Sequence, residues 1–266
     1  MKKKIIYLLM LIGLGSIAAT ILPPLREVPN DSFTKGEFLK YRVHYGLVSA
    51  GNVTIEVVPK MENIKGRNCY HIVGKGYTNS SYDWIYKIRD QYETYLDEKA
   101  LVPWKFVRNI NEGGFHSYTE THFDHNVGKV RFVDEQFKTT DYTVPSNIQD
   151  VISAFYFSRT TNRNTMKIGD KIPLTNFLDR KVFNLEAQLL KRETINVEGK
   201  KYKALKMQLL IMESGMITDG SKIQFWISDD ENKIPLRIES ELAIGSIKAD
   251  LIETKNLKNP LTSLQN

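Results

Sequence analysis

The sequence predicts a mainly β protein: an antiparallel curved sheet that closes into a barrel or half-barrel, with one main α-helix at about residues 147–159. Apolar and polar residues alternate along most of the chain, the period expected of strands with one buried face. Glycine, asparagine and aspartate separate these stretches, as in the turns of a hairpin meander. Twisted sheets of about a dozen strands curl, close or split into two layers, so a flat open sheet is not expected.

The alternation is clear near both ends of the chain. Leu39, Tyr41 and Val43 share one face of the first predicted strand, and Phe225 and Ile227 share one face of a late strand. With 41% hydrophobic residues, 13 tyrosines and 12 phenylalanines, the 266-residue chain can bury a sizeable core, and we expect a single β-rich domain.

Glycines inside the predicted strands mark local irregularity. Gly51 is expected at a bulge or at a close approach of another backbone, and Gly74 and Gly76 at strong curvature or beside a close neighbour. Residues 79–86 fit neither a regular helix nor a regular strand and are expected to be irregular.

The predicted helix follows Pro145. Ser146 is a suitable N-cap and Gln149 would complete a capping box. Its apolar stripe must be buried against the sheet, where it either bounds a ligand cavity or fills a packed core. The stripe supplies the candidate ligand-binding residues: Ile148, Val151, Ile152 and Phe155.

Three polar residues of the same segment could suggest catalysis. Asp150, Ser153 and Arg159 lack a histidine to act as a base, and Asp150 and Arg159 stand where charges complement the helix dipole. A structural role is therefore favoured. Elsewhere the chain has no nucleophile elbow, phosphate loop or Cys-x-x-Cys motif, so no catalytic residue and no cofactor are predicted.

The N-terminus predicts export. Three lysines precede an apolar run over residues 5–22, with small residues at Ser16 and Ala18 before a cleavage point. We expect a signal peptide at 1–18, or an uncleaved anchor with membrane contact through that segment, then a linker at 19–32, one domain at 33–256 and a tail at 257–266. The protein is thus expected in the periplasm or cell envelope.

The charge pattern bears on the class of binding partner, and the cysteine content bears on disulfide bonds. Cleavage near Ala18 removes three lysines and no acidic residue from the formal net charge of +6, which leaves +3. Basic residues are interleaved with acidic ones rather than gathered into a stripe, so no nucleic-acid partner is expected. Cys69 is the only cysteine, which excludes an intrachain disulfide and predicts a small buried side chain.

Residues 116–125 hold the one cluster that resembles a metal site. If this segment is a strand, four potential ligands project from one face, although their spacing matches no zinc signature and a solvated strand face is the favoured interpretation. These weak candidates are His116, Glu120, His122 and Asp124.

Several longer motifs occur in one order along the chain. They are Gly36, Glu37 and Tyr41 with Gly46, Ala50 and Gly51, then YKIRDQYETYLD at 86–97, Pro103, Phe106, EGG at 112–114, DVISAFYFSR at 150–159, Trp226, Ser228 and Asp229, and NKIPLRIESELAIGSIKADL at 232–251. In these the chain resembles the bacterial envelope family known as domain of unknown function 3108. The resemblance implies an exported, mostly antiparallel β protein and supplies no agreed activity, cofactor or catalytic residue.

Three functional hypotheses follow. The leading one is a non-enzymatic envelope protein that binds a hydrophobic ligand, lipid or lipoprotein-like, in its curved sheet. The second is a structural or scaffold protein that binds an envelope protein partner. The third is an envelope glycan or lipid hydrolase that uses carboxylates such as Glu120 or Asp124.

Overall fold

A computed structural model describes residues 24–161, 165–213, 216–218 and 223–265 of the chain. The predicted signal peptide or anchor at 1–18 lies outside the described residues. Within the described ranges, no helix has the length and apolar character needed to cross a membrane.

The first half of the chain is an antiparallel meander of eight strands, in which each strand pairs with the next. One 3₁₀ turn, Ser80–Tyr82, interrupts the otherwise irregular segment at 79–86. The strands are β1 (Phe38–Tyr45), β2 (Val48–Ile64), β3 (Arg67–Thr78), β4 (Arg89–Asp97), β5 (Pro103–Glu112), β6 (Phe115–Asp124), β7 (Lys129–Val133) and β8 (Thr139–Thr143).

The second half begins with the helix and continues the same sheet. Helix α1 spans Val151–Arg159. The strands that follow are β9 (Lys171–Pro173), β10 (Asn176–Leu178), β11 (Lys181–Val197), β12 (Lys200–Glu213), β13 (Met216–Thr218), β14 (Ile223–Ser228), β15 (Pro235–Glu241), β16 (Ser246–Lys255) and β17 (Leu264–Gln265). Pairing of β16 with β1 joins the two halves, and β12 pairs with β11, β13, β14 and β17.

The sheet curls but backbone hydrogen bonds do not close it. It runs from β8 through β1 and β16 to β11, whose outer edge carries β9 and β10, and no ladder between described residues joins β8 to those two strands. Side chains span the gap instead: Phe177 of β10 packs with Phe106, Phe123 and Phe132 of the first half. The predicted curved antiparallel sheet with one helix is confirmed.

Helix α1 fills the concave side of this sheet and starts later than predicted. Its N-cap is Asp150, whose Oδ1 accepts hydrogen bonds from the backbone N–H groups of Ile152 and Ser153, each at 2.8 Å. The Ser153 hydroxyl oxygen in turn accepts from the Asp150 N–H at 2.8 Å. The predicted capping box of Ser146 and Gln149 is therefore wrong, because residues 146–147 form a turn in which Asn147 has a positive φ of 56°, and Gln149 forms a β-bridge with Asn176.

One end of the curled sheet is closed by segments from both chain termini. In the predicted linker, Ser32 is fully buried and Val28 packs on the core. In the predicted tail, Leu257 and Leu261 pack against the core formed by β1, β12 and β14–β16. Both segments thus cover core residues at the same end of the molecule.

Gly51 lies where two backbones approach closely. The register of the β1–β2 pair shifts beside it, and a Cβ at this position would lie 2.4 Å from the carbonyl oxygen of Tyr77. Gly74 faces the helix, since its Cβ would meet the Ile152 side chain at 3.7 Å. A side chain at Gly76 would meet no atom within 4 Å.

Candidate functional site

The four apolar helix residues predicted as a ligand-binding stripe point to two different places. Ile148 is buried in the aromatic core of the first half, and Ile152 packs against that core and against the neighbouring one around Ile72. Val151 and Phe155 line an open cleft, and Phe155 also packs against the core around Ile72. Val151 and Phe155 share one face because they lie four residues apart on the helix, whereas Ile148 lies before the first helical residue.

The cleft lies between helix α1 and the concave face of β11, β12, β14 and β15. It has two adjoining lobes of about 240 and 360 Å³, with Val151, Asn176, Leu185, Leu209 and Ile223 lining both. We call this space the apolar cleft. The larger lobe falls within the roughly 300–1,000 Å³ typical of small-molecule sites.

Strand alternation explains why the walls of the cleft are apolar. Leu205 and Met207 of β12 are buried beneath Ala154 of the helix, and Leu209, two residues further on, continues the same face into the cleft. Phe225 and Ile227 do the same on β14. The cleft is thus the part of the concave side of the curled sheet that the nine-residue helix is too short to fill.

The chemistry of the two lobes differs. Every residue that lines the smaller, deeper lobe is uncharged, and Ser158 and Asn176 are its polar members. The Ser158 hydroxyl donates to the carbonyl oxygen of Phe155 at 2.8 Å. The outer lobe adds Ser240 and Glu241 at the end of β15. An apolar body with a polar end fits this gradient, because burying an unpaired polar group costs free energy.

A buried ion pair lies at the C-terminal end of helix α1, at the closed end of the curled sheet. The Arg159 guanidinium contacts both carboxylate oxygens of Glu37, Nη1–Oε1 at 2.5 Å and Nη2–Oε2 at 2.7 Å, and both side chains are fully buried. Arg159 also donates to the carbonyl oxygens of Ser32 and Asn232, each at 3.0 Å. All three of its nitrogens are therefore paired.

The hydroxyl groups near this ion pair are poor candidates for catalysis. The Tyr156 hydroxyl donates to Glu37 at 3.2 Å, and burial, with the nearby Glu37 charge, raises the pKa of Tyr156 well above its ordinary value. Burial likewise raises the pKa of Tyr41. Neither phenol ionises near neutral pH, and both lie fully inside the fold, so neither is suited to proton transfer with a ligand. The contacts of Arg159 with Glu37, Ser32 and Asn232 instead hold the helix against the N-terminal segment and the β14–β15 turn.

At the other end of the helix Asp150 is fully buried. Burial raises its pKa to about 6, although hydrogen bonds from Thr94 Oγ1 at 2.5 Å and from two helix N–H groups favour the charged form. Thr94 belongs to β4, so this carboxyl group ties the helix start to the first half of the sheet. The favoured structural role for Asp150 matches this placement.

Strand β6 places the weak metal candidates on one face, as the alternation requires. Two of them, Glu120 and Asp124, form ion pairs with other side chains there. Glu120 accepts from Lys105 Nζ at 2.9 Å and is 2.8 Å from His122 Nε2. Asp124 pairs with Lys65 at 3.3 Å. No group of three or more His, Cys, Asp or Glu residues in the described part of the chain is arranged to hold a metal ion.

Glu120 is also unsuited to protonate a leaving group. Burial favours its neutral form, but hydrogen bonds from Tyr118, Lys105 and His122 outweigh it and lower its pKa below the ordinary value. A general acid needs a raised pKa. The described environment therefore gives the hydrolase hypothesis no support.

Sequence reasoning located the helix side of the cleft and missed its opposite wall. Leu185, Leu209, Ile223 and Ile238 come from four different strands and lie 34–87 residues beyond Val151 in the chain. Their alternation marks them as inward-facing, and no local signal separates a packed inward residue from one that faces empty space.

Comparisons with known proteins bear on the fold. A β-barrel-like protein from Brucella abortus, assigned to domain of unknown function 1849, aligns with 88% of this chain and 99% of its own at 12% identity, with a TM-score of 0.55. This likeness supports a shared fold alone. No curated protein gives a significant match to the sequence.

Two further solved structures align over most of the chain with lower TM-scores. A candidate exported protein with a YmcC-like fold from Bacteroides fragilis is 12% identical over 88% of this chain and 100% of its own, with a TM-score of 0.32. A candidate lipoprotein from Parabacteroides distasonis is 10% identical over 86% and 99%, with a TM-score of 0.29.

The family resemblance carried by the sequence motifs is confirmed. The model of the family described as protein of unknown function DUF3108 matches residues 40–252, a range that includes strand β2, helix α1 and the walls of the apolar cleft. The chain belongs to the domain of unknown function 3108 family.

Proposed function

We propose that this protein is exported to the cell envelope and binds a hydrophobic ligand, a lipid or the acyl chain of a lipidated molecule, in the apolar cleft. The observation that carries the proposal is the cleft itself: an open space between helix and sheet whose deep lobe is lined by uncharged, mostly aliphatic and aromatic side chains. Such a surface is costly to expose to water unless something covers it.

The gradient along the cleft supports an amphipathic ligand. An acyl chain would contact Phe155, Leu209 and Phe225, whereas a polar head would lie near Ser240 and Glu241 in the outer lobe. Export is supported by the lysines and apolar run at the N-terminus. The role is binding rather than catalysis, because the groups that line the deep lobe include no acid, base or nucleophile pair.

The test is titration of the protein with a fluorescent fatty-acid analogue. We expect saturable binding that unlabelled fatty acid displaces. Val151→Trp should weaken binding at least about tenfold, because the indole would occupy space that both lobes share.

The chain offers a matched control. Val182 on β11 is 37% exposed, against 36% for Val151, and lines neither lobe, so Val182→Trp should leave affinity unchanged. Binding that is not saturable, or that falls equally in both variants, would overturn the proposal. Lipid extraction of the protein purified from its own envelope would then identify the natural ligand.

A further inference from the structure

The most exposed large apolar side chains of the protein lie together at one end of the curled sheet. Because neighbouring strands are antiparallel, the connections β1–β2 (46–47), β3–β4 (79–88), β5–β6 (113–114), β7–β8 (134–138) and β15–β16 (242–245) all fall at the same end. We call these connections and their flanking residues the rim. The opposite end is the one closed by the buried ion pair.

Eight large apolar side chains are more than half exposed among the described residues, and six of them belong to the rim. Leu47 is fully exposed, Trp84 is 83% exposed and Ile244 is 81% exposed. Single exposed apolar residues are ordinary, but chance would scatter them over both ends and both faces. The six are Leu47, Trp84, Ile85, Phe115, Phe137 and Ile244.

Hydrogen bonds link neighbouring parts of the rim, so these side chains form an arranged surface. The Tyr45 hydroxyl donates to the carbonyl oxygen of Ile244 at 3.0 Å and joins the β15–β16 turn to the β1–β2 hairpin. The Gly113 N–H donates to the carbonyl oxygen of Lys87 at 2.9 Å and joins the β5–β6 turn to the 79–88 segment. Four of the five turns are therefore joined in pairs.

The connections of the rim carry charges of both signs, Lys87 and Lys138 against Asp83, Asp134 and Glu135, and several charged side chains are held in ion pairs. Arg89 pairs with Asp83, Lys248 with Glu239, and Arg180 lies 3.8 Å from Asp134. Arg108 pairs with Asp179 beside them. Because the two signs are interleaved, the rim has no cluster of one sign to recognise a charged partner, and it fits an electrically neutral one.

The apolar cleft opens toward the same rim. Ile223 begins β14 and pairs with Ser240, and the next residue, Glu241, pairs with Ser246 beside the β15–β16 turn. The outer lobe of the cleft is therefore the part nearest to the exposed apolar turns. Anything that covers the rim also covers the mouth of the cleft.

We propose that the rim is a membrane-docking surface: its apolar turns insert into the interfacial region of a lipid bilayer, with the mouth of the apolar cleft facing the lipid. Tryptophan and tyrosine favour this region, where one side of the ring is apolar and the other meets polar groups, and Trp84 and Tyr86 supply both. A bilayer fits better than a single protein partner because the apolar residues project from five separate turns at one end of the curled sheet, the end toward which the cleft opens. Docking would let a lipid pass between bilayer and cleft without crossing water.

The test uses the full chain carrying one introduced, fluorophore-labelled thiol, with vesicles of zwitterionic phosphatidylcholine. In Leu47→Cys the environment-sensitive label should brighten, shift to shorter wavelength and be quenched by brominated lipid. In Val127→Cys, an exposed position at the opposite end of the sheet, the label should not respond. This comparison separates docking by the rim from tethering by the N-terminal apolar run, which would not single out position 47.

A second set of variants tests whether the apolar side chains cause vesicle binding and whether that binding depends on ligand binding in the cleft. The double substitution Leu47→Asn, Ile244→Asn should weaken vesicle binding at least about tenfold, because both side chains lose their apolar contact with lipid. Binding should be nearly unchanged between low and high salt, as expected of a surface without a cluster of like charges. Val151→Trp should bind vesicles as well as the wild type, so failure of rim docking and failure of ligand binding in the cleft are distinguishable.

Three results would overturn the proposal. Equal responses from positions 47 and 127 would show that the rim is not the contact. A response at position 47 that rises with protein concentration in the absence of vesicles would identify a second copy of the chain as the partner. No response to vesicles, combined with capture of a single envelope protein by crosslinking through position 47, would identify a protein partner instead.

Discussion

Arg159 at the end of helix α1 and Glu37 just before strand β1 form a bidentate ion pair with no solvent exposure, although 122 residues separate them in the chain. The pair closes one end of the curled sheet, and the apolar cleft opens toward the other. A protein built in this way holds its helix at the closed end and leaves the helix face that carries Val151 open to a ligand.

The buried pair predicts a large loss of stability when one partner is removed. Arg159→Met should lower the free energy of unfolding by about 3–5 kcal/mol, because Glu37 would be left charged and unpaired inside the protein. Urea denaturation measures the change. The matched control is Arg42→Met, which breaks the partly exposed pair with Glu198 and should cost less than about 1 kcal/mol. Equal losses of stability in the two variants would contradict the burial of the Arg159–Glu37 pair.

The close backbone approach at Gly51 predicts a position-specific effect of added methyl groups. Gly51→Ala should destabilise the protein by about 1–3 kcal/mol, since its Cβ would lie 2.4 Å from the Tyr77 carbonyl oxygen and the strands would have to separate. Gly76→Ala, in open space on the adjacent strand, should be neutral or stabilise by up to about 1 kcal/mol. Thermal unfolding of both variants provides the comparison, and a reversed order would refute it.

The burial of Asp150 predicts a pH-dependent difference between the wild type and Asp150→Asn. With a pKa raised from 3.8 to about 6, the folded protein holds this proton more tightly than the unfolded chain. The contribution of Asp150 to stability is thus greatest below about pH 3.8 and declines as the pH rises through 6, by up to about 3 kcal/mol. Asparagine does not titrate and also serves as an N-cap.

Denaturation of both proteins at several pH values tests this prediction. The difference between them should shift in favour of Asp150→Asn as the pH rises from about 4 to 6. Using the difference matters because Asp97 and Asp250 titrate in the opposite sense: burial favours their neutral forms, but hydrogen bonds from Arg67 and Arg237 lower their pKa values. A difference that stays constant with pH would show that folding does not raise the pKa of Asp150.

Cys69 should be chemically silent in the folded protein. It has no solvent exposure, and burial raises the pKa of its thiol to about 12, so the reactive thiolate is scarce at neutral pH. A thiol reagent at pH 8 should modify it only after denaturation. Val127→Cys provides an exposed thiol for comparison, and modification of Cys69 at a similar rate in native protein would contradict its burial.

Much of the helix could be predicted from the sequence. The errors in that prediction, at the N-cap and at the partner of Arg159, have a physical cause. Ser146 and Asp150 are both good N-cap residues, and local pattern favoured the first. The structure uses Asp150 because Thr94, on a distant strand, donates to its other carboxylate oxygen. The cation at Arg159 was expected to complement the helix dipole, and its buried partner Glu37 was not foreseen, because nothing local to either residue records a contact across 122 positions.

The sequence by itself determined the period-two strands, the single helix, the export pattern and the membership of a family, because each depends on spacing between near neighbours or on motif order. Only the tertiary structure decided which helix face is buried, where the sheet leaves space unfilled, and that five separate turns bring their exposed apolar residues to one end. Those features depend on how a curled sheet places residues from distant strands side by side, and alternation along one strand carries no information about what stands opposite it.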